Sequence, residues 1–255
     1  MKTAKLVAPA LVVVLAACSN ANSGTVSFSL TSRPSAALAS GASAPGVAAA
    51  GDSTVIMLGN DSVIIRSAQL VLRKVELKRI DVASCDAIVG NGDCEEFETG
   101  SKLITLPLGN PVIAQDVAVQ VPAGTFNEFE LEIHKPTSSD DAAFIAANPD
   151  FATISIRVTG TYSQAGTRSA FTFTSDVDQS EQASLVPPIT VAEGGTLNVT
   201  LRVNLSGWFL NAAKTALVDP ASANNGQPNQ SVVANNIQNS FEAFEDDNHD
   251  GQRDH

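Results

Sequence analysis

The chain has 255 residues, with 15 Lys plus Arg against 27 Asp plus Glu, a formal net charge of −12, 44% hydrophobic residues and 16% charged residues. That length is enough for one large or two small domains with a substantial core. The acidic balance excludes nucleic acid from the expected partners, because a nucleic-acid binder needs a basic patch for phosphates.

Lys2 and Lys5 precede an apolar run from Leu6 to Leu15 that is too short to span a bilayer as a stable helix. The run ends in Leu15-Ala16-Ala17-Cys18. These residues resemble the lipobox of bacterial lipoproteins, where the Cys thiol is lipidated and the chain is cut just before it. The resemblance implies a signal peptide over residues 1–17, an acyl anchor such as palmitate on Cys18, and a lipidated polar tether over 18–23. The other reading is an ordinary signal peptide whose Ala-x-Ala-like site contains a Cys. Ser19, rather than Asp, follows the Cys. In Gram-negative lipoproteins that resembles the outer-membrane sorting class, so the expected location is the cell envelope, anchored at the outer membrane. Loss of Lys2 and Lys5 makes the mature chain two charges more negative, and each buried lipid methylene adds about 0.8 kcal/mol of membrane affinity.

Beyond the tether, Val26, Phe28 and Leu30 alternate with Thr25, Ser27 and Ser29, the pattern of a half-buried strand. Residues 31–51 are rich in Ala, Ser, Gly and Pro and read as a long loop or flexible spacer. From Thr54 to Ile80 the pattern is β again. Ile64, Ala68, Leu70 and Leu72 share one parity, and Val75 and Leu77 the other. The switch near Arg73 and Lys74 predicts a bulge or a break between two strands. Cys85 and Cys94 then form an even pair around the turn signal Gly90-Asn91-Gly92, and an oxidising compartment predicts a disulfide between them. Their spacing does not suit a zinc clip.

Later runs alternate more cleanly. Val117, Val119 and Val121 share a face, and Phe129, Leu131 and Ile133 share another, with Glu128, Glu130, Glu132 and His134 opposite. A short helix is predicted over Asp141–Ala147, capped by Ser139 or Asp140 and stopped before Pro149. Ile154, Ile156 and Val158 follow, then Phe171 and Phe173, then the longest run, Leu197, Val199, Leu201, Val203 and Leu205. Pro122-Ala123-Gly124 and Glu193-Gly194-Gly195 supply turn chemistry between them. Val233, Ile237, Phe241 and Phe244 fall on one helical stripe, predicting an amphipathic C-terminal helix over 231–245. The expected fold is therefore all-β: an antiparallel β-sandwich, Ig-like or Greek-key-like, over 24–230, followed by that helix and an acidic tail to residue 255. No period of 20–50 residues suggests a solenoid or propeller.

The order of motifs adds a resemblance. Gly24-Thr25-Val26-Ser27-Phe28-Ser29-Leu30-Thr31, then Leu70-Val71-Leu72-Arg73-Lys74-Val75-Glu76-Leu77, then Val121-Pro122-Ala123-Gly124-Thr125-Phe126 resemble a group of bacterial envelope lipoproteins whose β-sandwich domain has no assigned function. The resemblance spans about residues 24–210, its motifs are structural, and it implies no catalytic residues. The 31–51 insert departs from it.

Motifs of catalysis are missing from the sequence: no His-Glu-x-x-His, no Gly-x-Ser-x-Gly and no phosphate loop ending in Gly-Lys. Of the three histidines, His249 and His255 lie in the last seven residues. A hydrolase would have to use His134 with Ser138 or Asp140. The plainer reading is a surface histidine beside three glutamates. Arg66, Arg73, Lys74, Lys78 and Arg79 form a cationic cluster, read either as an anion or lipid-headgroup site or as cross-strand partners of Glu128, Glu130 and Glu132; the second reading is preferred.

The tail carries the sharpest motif. Asp246-Asp247-Asn248-His249-Asp250-Gly251-Gln252-Arg253-Asp254, entered from the predicted helix, resembles the first nine positions of an EF-hand calcium loop. The resemblance places Asp246, Asn248 and Asp250 at positions 1, 3 and 5, the Gln252 carbonyl at 7 and Asp254 at 9, with Gly251 at the sharp turn. The acid at position 12 is missing, and Arg253 replaces the usual apolar residue at position 8. A calcium site built this way would be weak, in the range of about 10⁻⁴–10⁻³ M. The other reading is a solvated acidic terminus. The expected function is a lipid-anchored envelope protein with a non-catalytic binding or structural role toward an envelope protein or glycan. The alternatives are a Ca²⁺-assisted recognition module for glycans or envelope polymers, and a hydrolase using His134.

Overall fold

The computed structural model describes residues 23–32, 46–49, 52–80, 100–109, 113–139, 141–246, 248 and 250–253. Its alternating runs form strands β1 (Ser23–Thr31), β2 (Gly46–Ala49), β3 (Thr54–Leu58), β4 (Asp61–Arg79), β5 (Lys102–Thr105), β6 (Ile113–Pro122) and β7 (Gly124–Ile133). Helix α1 (Ala142–Ala147) follows, then β8 (Ile156–Gln164), β9 (Thr167–Ser175), β10 (Gln179–Val191), β11 (Thr196–Val203), helix α2 (Gln230–Gln238) and β12 (Phe241–Glu245).

The 19-residue β4 is the spine of the larger sheet. β3 and β5 pair with one flank, and β8 and β7 with the other. β2, β9 and β10 extend the sheet beyond β3, β8 and β7, and every pair is antiparallel. The smaller sheet has the order β12-β11-β1-β6. Here one expectation is corrected: β1 and β11 run parallel, from Thr25↔Thr196 to Thr31↔Arg202. Strands so far apart in sequence can meet in either direction, whereas tight hairpins force antiparallel pairing.

The core lies between the sheets. Val26, Phe28, Leu197, Val199 and Leu201 face Leu70, Leu77, Phe129 and Leu131, all at most 6% exposed. Phe28 and Phe129 meet across the gap with ring centroids 5.2 Å apart. Each such side chain, fully buried, contributes about 1.5–3 kcal/mol. A cavity of 20 Å³ remains there, lined by Phe28, Ser29, Leu30, Leu72, Phe129 and Leu201 among others. It has room for about one water molecule and is too small for an organic ligand.

β4 is one strand and not two. Its register against β7 shifts between Leu72 and Lys74, at the predicted parity switch. A second shift, between Ile65 and Ser67 against β8, was not predicted. Val63 and Ile65 are therefore buried and Ile64 is only half-buried, which corrects the grouping of Ile64 with Ala68, Leu70 and Leu72. One extra residue in a ladder moves every later side chain to the other face. Near this bulge Gly160 has no room for a side chain, because a Cβ would lie 2.0 Å from the Ile64 carbonyl oxygen.

Three other expectations change. The 31–51 segment is not all loop, since β2 falls within it and pairs with β3 from Gly46↔Met57 to Ala49↔Thr54. Backbone groups on the edge of β3 recruit a small, uncharged run that has no alternation of its own. The short helix begins at Ala142, and Asp141 stands before it without capping it. The helix predicted over 231–245 ends at Gln238, and Phe241–Glu245 is a strand. Phe241 and Phe244 fit a helical stripe, but the open edge of β11 gives this segment a full ladder of hydrogen bonds instead. Val233 and Ile237 are fully buried, as the helical stripe requires. No helix among the described residues is long and apolar enough to cross a membrane.

Candidate functional site

Cys18, Cys85, Cys94, Asp140 and Asp254 lie outside the described residues, as do residues 1–17. Asp246, Asn248, Asp250 and Gln252 come together in one turn at the end of β12. The ladder continues past the strand, with Asp246 N donating to Asn198 O at 3.1 Å. The Asp246 carboxylate is fully buried. It accepts from Thr200 Oγ1 at 2.6 Å, Gly251 N at 2.9 Å and Asp250 N at 2.9 Å. Asn248 Oδ1 also accepts from Asp250 N at 2.8 Å, and Asp250 Oδ1 accepts from Gln252 N at 2.8 Å. Gly251 turns the chain at φ +74°, in the left-handed region that glycine enters without strain.

The loop is pinned to the outer face of the smaller sheet. In β11 Leu197, Val199, Leu201 and Val203 point to the core, so Asn198, Thr200 and Arg202 point away from it. Arg202 donates to Glu242 Oε2 at 2.8 Å and to the Gly251 carbonyl at 2.6 Å. Its guanidinium lies 4.5 Å from the centroid of the Phe244 ring, and that of Arg253 lies at 6.0 Å. Phe244 is 1% exposed yet stands outside the main core cluster. The entry into the loop is a strand, which corrects the helical approach that an EF-hand would have.

Chemically, the turn gathers two carboxylates, Asp246 and Asp250, and two carboxamides, Asn248 and Gln252. A carboxylate oxygen has two lone pairs, so Asp246 Oδ2 is filled by Thr200 Oγ1 and Gly251 N, whereas Asp246 Oδ1, which accepts from Asp250 N, keeps a lone pair that a cation could use. Among the described residues no group of three His, Cys, Asp or Glu side chains is close enough to hold a metal ion. Thr200 and Arg202 were missed as parts of this site. Their signal was the polar parity of the longest alternating run, in which Arg202 is the only charged residue between Leu197 and Leu205.

The cationic cluster takes the cross-strand reading at two positions. Lys78 Nζ lies 2.6 Å from Glu128 Oε1 and 3.7 Å from Glu130 Oε2. The hydrogen bond to Glu128 holds the Lys78 ammonium above its ordinary pKa, and the charges of Glu128, Glu130 and Glu76 add to this against the opposing effect of burial. Arg73, at the bulge, lies between Glu132 (3.4 Å) and Asp141 (3.8 Å). Asp141 also accepts from Ser101 Oγ and from Thr137 N, which explains why it does not cap α1.

His134 stands just beyond β7 with its side chain 18% exposed. Nδ1 contacts the Lys135 carbonyl, and Nε2 lies 3.3 Å from Asp178 Oδ2. Among the described residues, Ser138 is not one of its hydrogen-bonding partners. Compared with protein-family models, with curated proteins and with solved structures, the chain matches none.

Proposed function

We propose that this chain is a lipid-anchored protein of the bacterial envelope whose β-sandwich has a non-catalytic binding or structural role toward an envelope protein or glycan. The observation that carries the reading is Leu15-Ala16-Ala17-Cys18 after a short apolar run and two lysines, with Ser19 favouring the outer membrane. The non-catalytic part draws support from the charged side chains. Arg73, Lys78 and His134 have carboxylate partners in Glu132, Glu128 and Asp178, the use that a stable scaffold makes of them. The same compartment predicts a disulfide between Cys85 and Cys94, worth about 2–3 kcal/mol for a loop of that size. Mass spectrometry of the N-terminal peptide tests the anchor. A diacylglyceryl group on an N-terminal Cys18 is expected; a chain retaining residues 1–17, or cut elsewhere, overturns the reading.

A second reading rests on the tail. Asp246, Asn248 and Asp250 sit on one turn held by the buried Asp246 carboxylate, and this favours a weak Ca²⁺ site that firms the C-terminal edge of the sandwich. Calorimetric titration with calcium should give saturable heat at about 10⁻⁴–10⁻³ M, lost in Asp250→Ala. No heat at millimolar calcium removes the reading.

A further inference from the structure

The turn that enters α2 holds an Asn-Gly pair. Asparagine before glycine is prone to a spontaneous reaction in which the glycine nitrogen attacks the asparagine side-chain carbonyl. Asn225 and Gly226 are both exposed. They occupy the centre of a β-turn closed by Gln227 N donating to Asn224 O at 2.9 Å, with Gly226 at φ +78°.

One side chain engages both reacting groups. Gly226 N, the nucleophile, donates to Gln230 Oε1 at 2.7 Å. Asn225 Oδ1, on the electrophilic carboxamide, accepts from Gln230 Nε2 at 3.2 Å. Gln230 is the first residue of α2, whose Val233 and Ile237 are fully buried, so its position is set by the core. Attack requires Gly226 N to lose its proton and the carboxamide carbon to swing over it. The first hydrogen bond stabilises the protonated amide, and the second fixes the carboxamide.

We propose that Asn225 is a self-modification site and that Gln230 is the latch that restrains it. In the reaction the Gly226 N–Asn225 Cγ bond forms, the Cγ–Nδ2 bond breaks and ammonia leaves. Water then opens the succinimide at either carbonyl to give aspartate or isoaspartate. No oxidant or reductant takes part. The isoaspartyl product adds a methylene to the main chain and a negative charge beside Asn224. That neighbour helps to hold the sheet, because Asn224 Oδ1 accepts from Thr174 N at 2.7 Å and Asn224 Nδ2 donates to the Thr172 carbonyl at 3.3 Å. The side-chain amide thus covers the outer edge of β9, which among the described residues pairs with β8 alone, and a bare strand edge is a template for pairing with other chains. Conversion of Asn225 to isoaspartate, once the latch is released, therefore loosens a protected sheet edge.

The test is ageing of the full chain in warm, mildly alkaline buffer, with peptide mapping to follow ammonia loss and isoaspartate at Asn225. A synthetic peptide of residues 221–232 gives the unrestrained rate. The latch predicts that the folded chain reacts slower than the peptide by about tenfold, the scale of one or two net hydrogen bonds. It also predicts that Gln230→Ala, with an unchanged melting curve, recovers most of that gap. Equal rates for folded chain and peptide overturn the proposal, as does a Gln230→Ala protein as slow as wild type. Should Gln230→Ala fail to fold, Gln230→Glu provides the test instead, because it keeps the acceptor for Gly226 N–H and loses the donor. A rate between wild type and peptide supports the latch, and a wild-type rate overturns it.

Discussion

The guanidinium of Arg202 lies 4.5 Å from the centroid of the Phe244 ring, on the outer face of the smaller sheet. This contact fastens the C-terminal turn to β11, because the same guanidinium binds Glu242 and the Gly251 carbonyl. Phe244→Ala should destabilise the fold by about 3 kcal/mol, the low end for a buried Phe. Arg202→Lys keeps the charge but loses the planar fork, and should cost about 1–3 kcal/mol. Urea unfolding followed by the fluorescence of Trp208, the single Trp of the chain, measures both.

Trp208 itself supplies a second test. It is fully buried, and its indole Nε1 donates to Ser240 Oγ at 2.8 Å. Ser240→Ala leaves a buried N–H without its acceptor, at a cost of about 1–3 kcal/mol. The melting temperature should fall while the native emission of Trp208 stays that of a buried indole. An unchanged melting temperature would contradict this.

Lys78 should make a small part of the fold's stability sensitive to alkaline pH. Its pKa is raised above the ordinary 10.5, chiefly by the Glu128 hydrogen bond. A raised folded-state value means that the pair's contribution is complete below pH 10.5 and is lost as pH climbs through the folded value. The stability gap between wild type and Lys78→Met should therefore be constant from neutral pH to about 9 and close at more alkaline pH. Chemical denaturation across that range reads it.

Tyr162, the only tyrosine, acts in the same direction through a different cause. Burial raises its pKa above the ordinary 10.0, and the charges of Asp61 and Asp219 raise it further. The fold favours the neutral phenol, so stability is complete below about pH 10 and falls as pH rises through the folded value. Ultraviolet titration of native protein should show a midpoint above that of the denatured chain. Tyr162→Phe should remove this part of the alkaline loss of melting temperature.

Local pattern explains which features were legible in the sequence. Alternation placed most of the strands, and the change of parity at Arg73 located a bulge because the side-chain period of a strand is two. The pairing of Lys78 with Glu128 followed from opposite charges on facing strands. The parallel contact of β1 with β11 left no local trace, since partner choice between distant strands depends on the whole fold. Phe241 and Phe244, three residues apart, suited one helical stripe better than one face of a strand, and the open edge of β11 overrides that local preference. In the tail, the oxygen-bearing residues were visible in order, and the structure places Asp246, Asn248 and Asp250 on one turn. Their support by Thr200 and Arg202 was hidden by more than 40 residues of intervening chain.

The most direct test of the account is fractionation of cells expressing the full chain or Cys18→Ala. An envelope lipoprotein predicts wild type in the outer-membrane fraction, released by detergent and not by salt, and a Cys18→Ala chain that lacks the lipid and keeps residues 1–17. Wild type in the soluble fraction with an unmodified Cys18 would contradict it.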